Sequence, residues 1–369
     1  MDITPATLEA LTAEEAVPRS QPVSYGARIR RRFRRSFKGM AGLVLVALVL
    51  LCSLLAPALS PYDPVERDSA NQNSPPQRPR FDGGFYTNPL TVELDPISFA
   101  PSFVADPATR CDLRLFGRGW RYSLAGIDMD RHLLTANPGC AAHLLGTDGQ
   151  GRDMLSRLLV GSRLTLLMAG LVVAVSVAIG TAIGLFSGFH GGMVDEWIQR
   201  FTELVLTLPE LPLYLALVVV IPRNADPLLV FFLLAAILSL LRWASLAREV
   251  RGKTLALRGA EYVRAAEAVG AGTSRILFRH ILPNVLSHVV VVITLMLPGI
   301  VLVESFLSFL GIGVQPPMIS WGLLLNAGKD LQTLGSRPWM LLPVVGILVT
   351  VLGFNMLGDG LRDAIDPHE

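Results

Sequence analysis

The sequence predicts an all-α polytopic membrane protein with six spanning helices and a small β-rich segment between the first two. Composition is the first observation behind this. Of 369 residues, 51% are hydrophobic and only 17% charged, with a mean hydropathy of +0.49. An ordinary soluble domain carries roughly 25% charged residues, so one large soluble core is excluded. The second observation is that the apolar residues gather into runs near the ~20 residues a helix needs to cross hydrocarbon. The net charge of +2 says little, because the charges are segregated along the chain.

Residues 1–38 form a basic tail. Residues 1–27 are polar and proline-bearing, a composition expected of a disordered segment. "RIRRRFRRSFK" (28–38) then places seven basic residues before the first span. Two rival readings arise here: "RRSFK" resembles a twin-arginine export signal, and "APA" (56–58) resembles a signal-peptidase site. The apolar run between them is long enough to span, which favours an anchor. The arginines suit anionic lipid headgroups better than nucleic acid. Span one covers 39–59.

Spans two to six lie in a core over residues 151–358, at 164–189, 204–221, 227–247, 285–310 and 339–357. The second is rich in the small residues that let helices approach closely. The third is interrupted by Pro209 and Pro212, and the fifth contains Pro298–Gly299. Lys and Arg concentrate on cytoplasmic flanks, so the basic tail places the N-terminus inside. Six spans then put 242–280 inside as well, and that stretch carries eight Lys or Arg against three acids. The C-terminal residues 359–369 are expected on the same side.

Residues 60–150 fall outside. Their first part, "SPYDPVERDSANQNSPPQRPR", has the proline content of an extended linker. "FYTNPLTVELDPISFAPSF" and "RLFGRGWRYSLAGID" suggest short strands, and "RHLLTANPG" a helical turn. Cys111 and Cys140 lie here, and Cys52 in the first span. The two outer cysteines are either bridged, closing about 30 residues and contributing roughly 3 kcal/mol, or two buried free thiols.

Catalytic signatures are missing. "RGKT" (251–254) has Ala247 where a phosphate-binding loop needs glycine, and "GLLLNAGKD" (322–330) ends in Asp330 where a hydroxyl is required. There is no HExxH, no GxSxG and no CxxC, and the six histidines have no ligand spacing. No metal site is expected, and the chain should not hydrolyse a nucleotide by itself. Ionisable residues at membrane depth are functional candidates. Glu210, between Pro209 and Pro212, and Glu304, beyond Pro298, are candidates for a hydrophilic path. Otherwise Glu210 pairs with a neighbouring subunit and Glu304 sits at the interface.

The stretch "RAAEAVGAGTSRILFRHILPN" (264–284) has the pattern of two short helices. Tyr262, Ala265, Ala266 and Val269 fall at i, i+3, i+4, i+7 as one apolar stripe. Gly270 and Gly272 are able to take the positive φ that ends a helix. A second helix over 273–280 is expected to start on Thr273 or Ser274 as N-cap, with Arg275, Arg279 and His280 along it. Pro283 opens the fifth span. On these grounds alone the pair is either a compact knob or two helices lying on the bilayer surface.

The stretch resembles the "EAA" loop of permease subunits of bacterial ABC importers, E-A-A-x(3)-G-x(9)-I-x-L-P. Ala265, Ala266, Gly270, Leu282 and Pro283 match. Arg264 stands where the family usually has Glu, and His280 where the general pattern has Ile. "HLLGTDGQGRDMLSRLLVGSRLTL" (143–166), "ESFLSFLGIGVQPPMISWG" (304–322) and "FNMLGDGLRDAIDP" (354–367) resemble the C-type subunit of the dipeptide/oligopeptide/nickel permeases. The resemblance covers 143–367 and the first span.

It implies a type I ABC importer fold in the bacterial cytoplasmic membrane, with both termini cytoplasmic. A second, B-type permease subunit would complete the pathway. Two ATPase subunits, holding ATP and Mg, would dock on the loop at 251–283, and an extracytoplasmic binding protein would deliver substrate. Peptides lead the substrate classes it suggests, with nickel, opines and short oligosaccharides beside them. The rivals are a secondary transporter, whose coupling ligands and inverted repeat are not visible, a membrane enzyme using the outer segment, and a scaffold with no transport role.

Overall fold

The computed structural model describes residues 25–94, 96–97, 101–124, 126–137, 139–222 and 225–365. The expected disordered tail and His368 lie outside the described residues, except that Tyr25, Gly26 and Ala27 open a helix. The helices are α1 (Tyr25–Arg35), α2 (Phe37–Leu54), α3 (Ala56–Leu59), α4 (Met154–His190), α5 (Gly192–Thr207), α6 (Glu210–Val219) and α7 (Pro227–Arg258). After them come α8 (Glu261–Ala268), α9 (Thr273–Ile276), α10 (Leu282–Phe309), α11 (Trp321–Ala327), α12 (Leu331–Ser336) and α13 (Leu342–Ile365). Five helices among the described residues are long and apolar enough to cross a membrane, or six if α5 and α6 form one bent span.

That bent pair corrects the expected third span over 204–221. The chain turns through 84° between α5 and α6. Leu208 (ψ 132) and Pro209 (ψ 114) both adopt extended backbone, because proline lacks an N–H and disfavours helix in the residue before it. The pair lies along α7 from Arg251 back to Leu238: Asp195 meets Arg251, Phe201 stacks on Trp243, and Tyr214 donates to the Leu238 carbonyl. Pro298, in contrast, breaks nothing. It lies buried inside a continuous α10, a position that spanning helices tolerate.

The bundle is held by close backbone contact. Gly39, Gly42 and Gly360 let α2 and α13 cross almost at touching distance. Gly180, Gly184 and Gly188 do the same for α4 against α7, facing the carbonyls of Trp243, Ala247 and Arg251 in turn. In lipid, where apolar surface alone gives helices no reason to associate, such small-residue seams let van der Waals packing do so. They also fix direction: α4 and α7 run parallel, and their C-terminal ends share one end of the bundle with α1 and the end of α13. Because Lys253, Arg258 and the α1 arginines gather there, it is called the basic end below.

The opposite end is covered by the described residues between 60 and 153. Strands β1 (Arg80–Phe81), β2 (Phe85–Thr87), β3 (Leu90–Leu94), β4 (Pro101–Ala105), β5 (Cys111–Leu115), β6 (Arg118–Leu124), β7 (Ile127–Arg131) and β8 (Leu134–Ala136) form a four-stranded antiparallel sheet, β1-β2-β5-β8, and two hairpins. A strand replaces the helical turn expected at "RHLLTANPG", because Leu134 to Ala136 pair with Leu113 to Leu115. Cys111 and Cys140 are disulfide-bonded with Cα atoms 5.6 Å apart, and Cys52 is free and half-buried.

The stretch expected as a linker is firmly tied. The amides of Asn73, Ser74 and Gln77 donate to Asp148 O, Thr147 Oγ1 and His143 O. This segment also grips the spans: Leu133 N donates to Ala58 O, and His132 lies between the Pro57 and Trp120 carbonyls at 3.0 and 2.9 Å.

Candidate functional site

Two features stand out, a knob at the basic end and a charged groove leading from it. The knob begins where α7 stops at Arg258. Helix α8 carries Val263 inward, fully buried against Leu246, Val250, Ile276, Ile281 and Val285. Its other face is left open: Tyr262 is 45% and Val269 86% exposed. Ala265 is exposed as well, and Ala266 half-buried. The apolar stripe read from the sequence therefore points away from the bundle, and the single inward anchor was the residue between its members.

The turn after α8 follows from glycine. Gly270 has φ +83°, its amide donates to Glu267 O, and that of Ala271 donates to Ala266 O. This double closure needs a left-handed residue at the position after the cap. Only Gly270 supplies it; Gly272 has φ −68° and extended backbone. Gly272 also takes the N-cap position assigned to Thr273 or Ser274, and no side chain caps the helix.

The expected second helix is not separate. Helix α9 passes through a widened π turn, Leu277–Ile281, directly into α10, so 37 residues from Thr273 to Phe309 form one rod. The π turn gives room to the ring of Pro283, which in a regular helix would press on the Arg279 carbonyl. Arg264, Arg275 and Arg279 are exposed around the knob, His280 and Leu282 are half-buried, and Pro283 is exposed. Asn284 braces the unit, donating to His280 O at 2.7 Å and to the Tyr262 hydroxyl at 3.4 Å.

The groove is a cavity of about 1050 Å³ walled by α7 and α10, closed on one side by the α5–α6 break and on another by the end of α13. Glu210 lies in it, paired with Arg242 at 3.1 Å. Glu249 pairs across it with His288 at 2.9 Å. Lys253 and Arg362 line its basic end. Arg242 occupies the middle of the 32-residue α7, and its guanidinium reaches 3.8 Å from where a Cβ on Gly299 would stand. The Pro298–Gly299 pair thus lies at the depth of the charge pair. Charges at this depth are costly and are retained where they face partners or water.

Glu304 is not in the groove. It is 2% exposed, accepting from Ser308 Oγ at 2.9 Å and Ser305 Oγ at 3.4 Å. Ser308 in turn accepts from Val314 N. The carboxylate anchors the loop after α10 inside the chain, because the serines of that helix turn inward with it. Among the described residues no three His, Cys, Asp or Glu side chains gather as metal ligands would.

The sequence singled out Glu210 but not Arg242, Glu249 or His288: it set Arg242 and Glu249 among the charges of the 242–280 segment and His288 among the scattered histidines. The missed signal was periodic. In "RWASLAREVRGK", Arg242, Ser245, Glu249 and Lys253 recur every three or four residues, a polar stripe on a helix that continues eleven residues past its expected end.

Comparison with known proteins identifies this architecture. Residues 180–369 match the family described as the binding-protein-dependent transport system inner membrane component. Residues 24–76 match the N-terminal TM domain of oligopeptide transport permease C. The oligopeptide transport system permease protein OppC of Bacillus subtilis is 31% identical over 364 residues, 98% of this chain and 95% of that protein. Its counterpart in Haemophilus influenzae is 40% identical over 252 residues, 68% of this chain and 78% of the relative. That of Escherichia coli K12 is 41% identical over 244 residues, 66% of this chain and 78% of the relative.

Proposed function

The chain belongs to the family of binding-protein-dependent transport system inner membrane components, and on that premise we propose that it is the C-type permease subunit of an ATP-driven peptide importer. It spans the bacterial cytoplasmic membrane six times, the α5–α6 pair being one broken span. The basic end faces the cytoplasm, as the positive-inside rule requires, and the β-rich segment faces outward to receive an extracytoplasmic binding protein. A B-type permease subunit completes the pathway along the groove. Two ATPase subunits hold ATP and Mg and do the hydrolysis. Peptide is the substrate class carried by the names of the relatives.

One observation carries the coupling role: the exposed stripe of Tyr262, Ala265 and Val269 stands on a helix anchored by Val263 and joined by a tight turn to a 37-residue rod. An apolar helix face of this kind suits a hydrophobic groove on a partner. The neighbouring Arg264, Arg275 and Arg279 form a basic rim, and Arg264 there replaces the Glu of the usual pattern. Chemistry stays with the partner, and the rod converts its motion into movement of the groove wall.

Replacing Gly270 with valine tests this. A β-branched side chain at φ +83° is strained by about 1–3 kcal/mol, which misplaces α8 while nothing lies within 4 Å to clash. Membrane insertion should persist, with ATPase association and uptake lost. Normal ATP-coupled uptake in Gly270→Val would refute the assignment.

A further inference from the structure

The charges of the groove form two matched steps. Arg242 and Glu249 share one face of α7, and each has its partner on a different element: Glu210 at the α5–α6 break for Arg242, His288 on α10 for Glu249. None of the four is sealed in: all line the cavity, and their side chains are between 25% and 43% exposed. An empty path at membrane depth that kept a lone charge would be unstable, and pairing avoids that. A substrate carrying both signs is able to replace the two partners, Glu210 and His288, without leaving either Arg242 or Glu249 bare.

We propose that this face binds a short zwitterion in transit, with Arg242 holding its carboxylate and Glu249 its ammonium. The proposal rests on the importer reading and names the substrate contacts within it. Seven residues of helix separate the two positions by about 10 Å at 1.5 Å per residue. Extended peptide advances about 3.3–3.6 Å per residue, so a chain of about three residues with free termini spans them. The planar fork of Arg242 suits a carboxylate bidentately. Glu249, freed from His288, accepts from an ammonium. The cavity of about 1050 Å³ is ample for a ligand of that size, since sites for small molecules run to about 300–1,000 Å³.

The test uses the assembled, nucleotide-free complex in nanodiscs without its binding protein. Equilibrium binding of radiolabelled trialanine is competed by unlabelled trialanine, N-acetyl-trialanine and trialanine amide. Each blocked peptide should compete about tenfold or more weakly, the loss of one hydrogen-bonded charge. In Glu249→Gln the penalty on the N-acetyl peptide should vanish, and in Arg242→Gln the penalty on the amide. The absence of saturable binding, equal competition by all three peptides in the wild type, or a penalty that survives the matching substitution overturns the proposal. The wild-type competition needs no variant to fold. ATP-dependent uptake of trialanine by the same complex with its binding protein separates the two levels. Uptake alongside failed competition removes this inference alone, whereas no uptake of any peptide removes the importer reading with it.

Discussion

Changing Gly184 to alanine should loosen the seam that holds the groove's main wall in place. A Cβ built there lies 2.5 Å from the Ala247 carbonyl and 2.7 Å from Val250 Cβ. Backbone cannot swing aside as a flexible side chain would, so α4 and α7 must part by about 1 Å to restore ordinary contact, at an overpacking cost of about 1–3 kcal/mol. Alanine recovers about 1 kcal/mol of helix propensity over glycine, leaving a net loss of up to about 2 kcal/mol. Gly252 supplies the control. It lies in α7 with nothing within 4 Å of its added Cβ, so Gly252→Ala should be neutral or stabilising by up to about 1 kcal/mol. Thermal unfolding of the purified subunit in one detergent, followed by tryptophan fluorescence, compares the two variants directly. If Gly184→Ala unfolds no earlier than Gly252→Ala, the close approach does not hold the wall.

Two further outcomes follow from buried features outside the groove. Opening the Cys111–Cys140 bridge with serine at both positions releases a loop of 29 residues, worth about 3–4 kcal/mol in the chain-entropy model. Limited proteolysis should then cut within 80–136 while the spanning helices survive, and unchanged resistance would refute this. Glu304→Gln keeps the size of the side chain and its acceptor for Ser308, so thermal stability and uptake should both persist. Glu304→Ala removes that acceptor inside the core and should cost about 2–4 kcal/mol of stability in the same unfolding assay; an unaltered midpoint would count against it.

Much of the membrane architecture was legible because lipid imposes it. Runs of apolar residues long enough to span have few alternatives to helix, and "GTAIGLFSG" (180–188) announces a close helix contact by its spacing alone. The stripe from Tyr262 to Val269 was legible for the same periodic reason. The losses came where neighbours decide. Pro209 and Pro298 look alike in sequence, yet one bends the chain and the other sits in an unbroken helix. What differs is the packing around them: Pro298 is buried within α10, while Pro209 and Glu210 are exposed at the edge of the cavity. Glu304 and Glu210 also look alike, two acids near prolines, but serines on its own helix draw one inward. The tie between residues 71–77 and 143–148 depends on pairing across about seventy residues, which local composition does not report.

The same residues that hide α7 from a loop-based reading join the knob to the groove. Successive faces of this one helix meet different neighbours. Trp243, Ala247 and Arg251 back onto the glycine seam of α4, and Arg251 is further clamped by Asp195, to which its Nε and Nη2 donate at 2.6 and 2.5 Å. Leu246 and Val250 pack on Val263 of the knob. Arg242 and Glu249 face the cavity. Helix α10, the opposite wall, roots in the same cluster through Ile281 and Val285. Any force on the exposed face of α8 therefore reaches both walls at their base, one through Val263 and the other through the turn at Gly270. Because each wall carries one member of the Glu249–His288 pair, a change in the angle between them alters that pair first. Under the proposed function, opening and closing of the groove and its grip on a charged end would then be one movement rather than two.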